Sequence, residues 1–132
     1  MPQTQVLFYQ DDKGHAPVVD WLTDLRKRDA VAYSNCVATI HRLAAAGHEL
    51  RRPTADYLRD KIYELRAKRG RVNYRILYFF HGRNVAILAH ALTKEDKVPI
   101  ADIERAIRRR ELYEANPKKH TYQETARPSQ NR

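Results

Sequence analysis

Lys61-Ile62-Tyr63-Glu64-Leu65-Arg66, then Val72-Asn73-Tyr74-Arg75-Ile76-Leu77-Tyr78-Phe79-Phe80, then Val85-Ala86-Ile87-Leu88-Ala89-His90-Ala91-Leu92: these three runs decide the fold. They are rich in β-branched and aromatic residues, which suit extended backbone, and only Lys68-Arg69-Gly70-Arg71 and His81-Gly82-Arg83-Asn84 interrupt them. The spacing predicts strands over 62–66, 72–80 and 85–92, joined by two short turns into a three-stranded antiparallel meander. Alternate residues of a strand face opposite ways. Val72, Tyr74, Ile76, Tyr78 and Phe80 therefore share one face of the middle strand, and Asn73, Arg75, Leu77 and Phe79 the other. By the same parity Ile62, Glu64 and Arg66 go together in the first strand, and Ala86, Leu88, His90, Leu92 and Lys94 in the third. In the register that short turns suggest, Arg66, Arg75, His90 and Lys94 share one sheet face, leaving the other to the helices.

Upstream, Val6-Leu7-Phe8-Tyr9 reads as a strand and Asp11-Asp12-Lys13-Gly14 as a turn. Pro17 is placed for a first helical turn, and Val18, Trp21, Leu22 and Leu25 follow at helical spacing. After the charged break Arg26-Lys27-Arg28-Asp29, the same period runs through Tyr33, Val37, Ile40, Leu43 and Ala44 to a capping Gly47. Residues 48–60 are polar and irregular and read as a connecting loop. Downstream, Pro99 opens a last amphipathic helix with Ile100, Ile103, Ala106 and Ile107 on one side. At 132 residues the chain suits one domain, expected over 1–116, with 117–132 a polar, loosely held tail. The predicted class is α/β (α+β).

Hydrophobic residues make up 42% and charged residues 31%, enough apolar material for one core. No apolar run reaches membrane-spanning length, and the start has no basic-then-apolar leader pattern, so a membrane or exported protein is disfavoured and the cytoplasm fits best. The lone Cys36 cannot form an internal disulfide and reads as a packing residue, as Trp21 does. The six histidines show no HxxxH or HExxH spacing, so neither a metal site nor any other cofactor is expected. Dinucleotide, P-loop and hydrolase-elbow motifs are lacking as well. What remains is charge. Twenty-five Lys and Arg against 16 Asp and Glu give +9 and a pI near 9.9, a field that attracts polyanions, nucleic acid first among them.

Arg75 is the anomaly, a full charge amid apolar neighbours that needs a partner or a ligand. Arg66 and Glu64 alone would make an ordinary surface ion pair, His90 alone a satisfied core or edge histidine, and Lys94 alone a solvated strand end. As a constellation, Arg66, Arg75, His90 and Lys94 fit cleavage of an RNA phosphodiester. That reaction needs a base for the 2′-OH proton, an acid for the leaving 5′-oxygen and cations for the charge on the non-bridging oxygens. Lys61, Arg69 and Arg71 around the first hairpin are candidate RNA contacts. Arg109 joins them if the Arg105 to Arg110 run meets phosphate rather than forming the solvated side of the last helix.

The ordered set Lys61-Ile62-Tyr63-Glu64-Leu65-Arg66, Gly70 through Phe80, His90-Ala91-Leu92-Thr93-Lys94, Pro99 and Asp102-Ile103-Glu104-Arg105-Ala106 resembles the phage-derived, HigB-like branch of the RelE/ParE toxin superfamily, over about residues 6–113. The resemblance implies a compact twisted antiparallel sheet with two N-terminal helices on one face and a substrate surface on the other, and a C-terminal helix. It implies the toxin of a type II toxin–antitoxin pair. RelE-like and HigB-like members cut mRNA without metal, generally on the ribosome, and HigB-like ones are usually partnered by a helix-turn-helix, HigA-like antitoxin. By position Arg66 and Arg75 match the family's strand arginines, and His90 and Lys94 fall where its polar active-site groups stand. Two other functions stay open: a non-catalytic, ParE-like inhibitor of DNA gyrase, and a basic nucleic-acid-binding module.

Overall fold

The computed structural model describes residues 3–93 and 96–123. In chain order these form β1 (Gln5–Phe8), α1 (Pro17–Arg28), α2 (Ala30–Ala46), a 3-10 turn (Gly47–Glu49), β2 (Ala55–Arg59), β3 (Ile62–Arg69), β4 (Val72–Phe80), β5 (Val85–Thr93), α3 (Ile100–Ala115) and the short α4 (Pro117–His120). The five strands make one sheet in the order β1-β5-β4-β3-β2. β2 to β5 pair antiparallel, and β1 lies parallel to β5. Among the described residues no helix is long and apolar enough to cross a membrane.

The helices start and stop where the local chemistry dictates. Pro17 occupies the first turn of α1, and Val18, Leu22 and Leu25 are its buried stripe. Asp29 separates the two helices and caps the second, its carboxylate accepting from the Ala32 N–H at 3.0 Å. Gly47 ends α2 at φ 55, and a side chain there would run into the Thr4 hydroxyl, so the position requires glycine twice over. α1 and α2 cover one sheet face, burying Leu65, Ala67, Tyr74, Ile76, Tyr78, Ala86 and Leu88. Trp21 packs at the margin of this core with its ring edge against Tyr74, and Cys36 lies inside it, its thiol pushed up to about 12 by burial.

Three expectations need correction. The segment 48–60 is not all loop, because Ala55–Arg59 adds a fourth antiparallel strand at the sheet edge. Only Ala55 is buried in it, so it carries almost no apolar period by which to announce itself. Second, parity fails along β5. Leu77 pairs with His90 but Tyr78 pairs with Leu88, a bulge that leaves Ala89 without a partner of its own. Ala86 and Leu88 therefore join the α1/α2 core, while His90 and Leu92 turn to the opposite face with Arg75 and Leu77. Third, that opposite face is not free of helices. α3 lies across its β4–β5 half and buries Ala106 and Tyr113 with Leu77, Phe79, Ile87 and Ala89.

The start of the expected tail is docked on β1. Asn116 caps α4, the buried His120 ring stacks on Tyr9 at 5.3 Å, Thr121 bridges to Tyr9, and the Tyr122 N–H donates to the Phe8 carbonyl at 2.8 Å. The rest of the tail, 124–132, lies outside the described residues, as do Lys94 and Glu95.

Candidate functional site

With α3 over β5 and the Leu77–Phe79 end of β4, the open part of that sheet face is β3 with the Arg75 end of β4, and there the charged residues gather. Tight pairing across the β3–β4 hairpin sets Arg66 directly opposite Arg75, and Glu64 opposite Leu77, all on the same side. Like charges directly opposite would repel. Glu64, only 2% exposed, resolves this by standing between them. Its Oε1 accepts from Arg75 Nη1 at 2.7 Å, and its Oε2 from Arg66 Nε and Nη2 at 3.0 and 2.8 Å. One carboxylate thus aligns two guanidinium groups through charge-assisted hydrogen bonds. Arg75 is further fixed by donating Nη2 to the Asp96 carbonyl at 2.6 Å, while its Nε has no partner among the described residues.

The two arginines are not equivalent. The Arg75 side chain is 11% exposed and Arg66 33%. Arg66 also reaches Asp56 of β2 at 3.4 Å, whose carboxyl is held below the usual carboxylate range chiefly by the hydrogen bond from Arg52. Beside them opens a groove of ≈ 510 Å³ lined by Arg42, Pro53, Thr54, Arg66, Lys68 and Arg75 among others. Arg42 comes from α2 and donates to the Thr54 hydroxyl at 3.3 Å. The groove is cationic with a carboxylate at its root, an arrangement that can bind a tetrahedral oxyanion and stabilise charge developing on it.

His90 is on the face expected of it, although the bulge rather than simple alternation puts it there, and it is 8% exposed. Both ring nitrogens are engaged by α3. Nε2 is 2.6 Å from Asp102 Oδ1, and Nδ1 is 3.2 Å from Arg109 Nη1. An arginine can only donate, so Nδ1 accepts and Nε2 carries the proton toward Asp102. Burial, which outweighs the pull of Asp102, lowers the imidazole pKa and favours this neutral form. Arg109 is equally committed, donating to the Ala89 carbonyl at 2.8 Å with its guanidinium 5.8 Å from the Tyr9 ring centre. The pair forms the α3–β5 joint, apart from the open groove.

The other candidates spread out. Arg69 pairs with Asp29 at 3.0 Å and ties the β3 end to the α1–α2 corner. Arg71 is exposed in the β3–β4 turn, and Lys61 is exposed in the β2–β3 turn. Lys94 is outside the described residues; it follows Thr93, which pairs with Tyr74 beside Arg75. The structure adds Glu64 as the hub, with Arg42, Lys68 and Asp56 around it. The Glu64-x-Arg66 spacing was the available signal for the hub, since both residues share the parity of Arg75; nothing in the sequence links Arg42 of α2 to them.

The profile of the family described as Phage derived protein Gp49-like (DUF891) matches residues 21–111. The chain belongs to this family. Gp49-like proteins are a family of the RelE/HigB-like toxin type. The Gp49-like match runs from α1 into α3 and takes in β2 to β5 whole, so the Glu64 hub, both arginines and the α3 joint all fall within it. No curated protein matches the chain.

Proposed function

We propose that this Gp49-like chain is an mRNA interferase, the toxin of a type II toxin–antitoxin pair, which cuts mRNA on the ribosome by attack of a 2′-OH on the adjacent phosphorus. The carrying observation is the Glu64-anchored pair Arg66 and Arg75 at an open cationic groove. The 2′-oxygen bonds to phosphorus and gives up its proton to a base. The bond from phosphorus to the 5′-oxygen breaks, and that oxygen takes a proton from an acid. The products are a 2′,3′-cyclic phosphate and a 5′-hydroxyl. Negative charge on the non-bridging oxygens peaks in between, and the two aligned guanidinium groups meet it without the reorganisation that water would need.

His90 is a positioning residue in this reading, since both its nitrogens serve the α3 joint. Lys94, which lies outside the described residues, stays the candidate for proton transfer that the sequence suggests. Arg42 and Lys68 of the groove serve RNA association, as does Arg71 of the β3–β4 turn. The antitoxin is expected to be a helix-turn-helix, HigA-like protein presenting an acidic segment to this basic surface.

The test is single-turnover cleavage of ribosome-bound mRNA with 3′-end mapping. Arg75→Ala should slow cutting by about 10²–10³, the scale for one preorganised charge-stabilising donor, with ribosome affinity changed less than about tenfold. A folded Arg75→Ala chain that cuts at the full rate defeats the assignment. Intact mRNA together with accumulating DNA breaks would replace it with the gyrase reading.

A further inference from the structure

The opposite side of β2 carries a feature that cleavage does not use. Where α2 has ended, the helix-bearing sheet face is left uncovered, and two adjoining hollows of ≈ 450 and ≈ 390 Å³ share His48, Tyr57 and Tyr63 as walls. The walls are aromatic. His48 stacks on Phe80 with ring centres 3.6 Å apart, and Tyr57 meets Tyr63 edge to face at 5.0 Å. Tyr57 is 52% exposed on an edge strand, yet it is fixed, because its hydroxyl accepts from the Lys61 N–H at 3.1 Å. The turn that makes this bond holds two non-glycine residues in the left-handed region, Asp60 at φ 50 and Lys61 at φ 70. Such backbone is costly, and it persists where surrounding structure or function demands it.

The rim is cationic. Arg52 is neutralised by Asp56 at 2.9 Å, but among the described residues Arg51 donates only to the His48 and Leu50 carbonyls, which orient its guanidinium without cancelling its charge. Lys61 has no carboxylate partner among the described residues. Fixed, exposed ring faces beside uncancelled cations match a base with its phosphate. A protein strand or helix would instead ask for aliphatic sockets, and only Leu50 and Ala55 supply any. We propose that this notch is a second binding site, for single-stranded RNA, in which a base stacks against Tyr57 and His48 while Lys61 and Arg51 hold the adjoining phosphates. Asp56, which pairs with Arg52 at the notch and with Arg66 at the groove, places the two sites on either side of the same short strand.

The inference rests on the reading of the chain as one that acts on RNA, and its test separates holding RNA from cutting it. A fluorescent 2′-O-methyl decamer, which has no free 2′-OH to attack, is titrated with the full chain, and a 4-thiouridine version is photocrosslinked to it. Tyr57→Ala should weaken binding about 10- to 100-fold, the scale for one base–aromatic stack, and Tyr57→Phe should stay within about threefold of the parent. Lys61→Ala should lower the salt slope by about one. Crosslinks should fall on Tyr57, His48 or Phe80. Affinity unchanged in Tyr57→Ala, or crosslinks confined to the Arg66 face, overturns the proposal. So does unchanged RNA affinity with loss of antitoxin binding, which would make the notch a protein dock. Ribosome-dependent cutting is scored in parallel. A chain that cuts but binds the decamer independently of Tyr57 loses this site and keeps the cleavage reading; the reverse result does the opposite.

Discussion

Replacing Glu64 by Gln keeps the volume of the side chain and removes its charge, which isolates what that charge does for the two arginines. The carboxylate accepts three hydrogen bonds at 2.7 to 3.0 Å, two from Arg66 and one from Arg75. An amide must turn its NH₂ toward one of them, so a donor faces a donor at contact distance. Arg66, a third exposed, can swing into water. Arg75, 11% exposed and wedged between Leu77 and Leu92 of the sheet face, keeps only the Asp96 carbonyl. Breaking a buried pair from one side costs about 3–5 kcal/mol, of which the amide's remaining acceptor recovers about 1 kcal/mol, leaving about 2–4 kcal/mol. With a urea m-value near 2 kcal/mol/M for a chain of this size, the unfolding midpoint should drop by about 1–2 M. Removing either arginine leaves Glu64 paired with the other, so Arg66→Gln should cost least, about 0–1 kcal/mol, and Arg75→Gln should fall between. The rank order is the sharp part of the test. A Glu64→Gln midpoint within about 0.3 M of the parent at unchanged m, or a larger loss from Arg66→Gln, would refute the picture of one carboxylate organising both cations.

Two more expectations follow from the α3 joint. Arg109→Ala should destabilise the chain by about 1–3 kcal/mol, because the Ala89 carbonyl and His90 Nδ1 lose their donor, and it should leave the salt dependence of RNA binding as it was. A flatter salt slope with unchanged urea midpoint would return Arg109 to the RNA surface. His90 gives a pH signature: its folded pKa is lowered, so between that value and about 6.5 the unfolded chain binds the extra proton and stability falls as pH falls. Urea midpoints at pH 7, 6 and 5 should decline more steeply in the parent than in His90→Gln, and parallel declines would show that the imidazole is not held neutral.

How much of this was written legibly in the sequence depends on how local the deciding interaction is. β3 and β4 are adjacent in the chain with a two-residue turn between them, so parity and short-turn pairing suffice to put Arg66 across from Arg75. The family resemblance is carried by the same residues, and the match of residues 21–111 to the Gp49-like family bears out its coarser part, a RelE/HigB-like toxin type. β2 escaped because an edge strand with one buried residue needs no apolar alternation. The β5 bulge escaped for a different reason: residues 85–92 are apolar but for one histidine, and a run without polar beats gives no sign of a slip by one residue.

The α3 joint marks where sequence reading by element stops. Asp102 and Arg109 are seven apart, two turns of one helix, so they share a face, and that face could have been read as polar and therefore solvated. Only the docked helix shows that it meets His90, and only the bulge turns His90 toward it. Each charge in the joint is met by a hydrogen-bond partner, Asp102 by His90 Nε2 and Arg109 by the Ala89 carbonyl and His90 Nδ1, which is why a polar helix face can lie on an apolar sheet. The same docking bears on the proposed cleavage site. By covering β5 and the Leu77–Phe79 end of β4, α3 leaves β3 and the Arg75 end of β4 as the stretch of that face, among the described residues, where two half-buried arginines stand beside an open groove. In the cleavage reading, the broad basic substrate surface expected from the sequence narrows to two arginines on a single carboxylate.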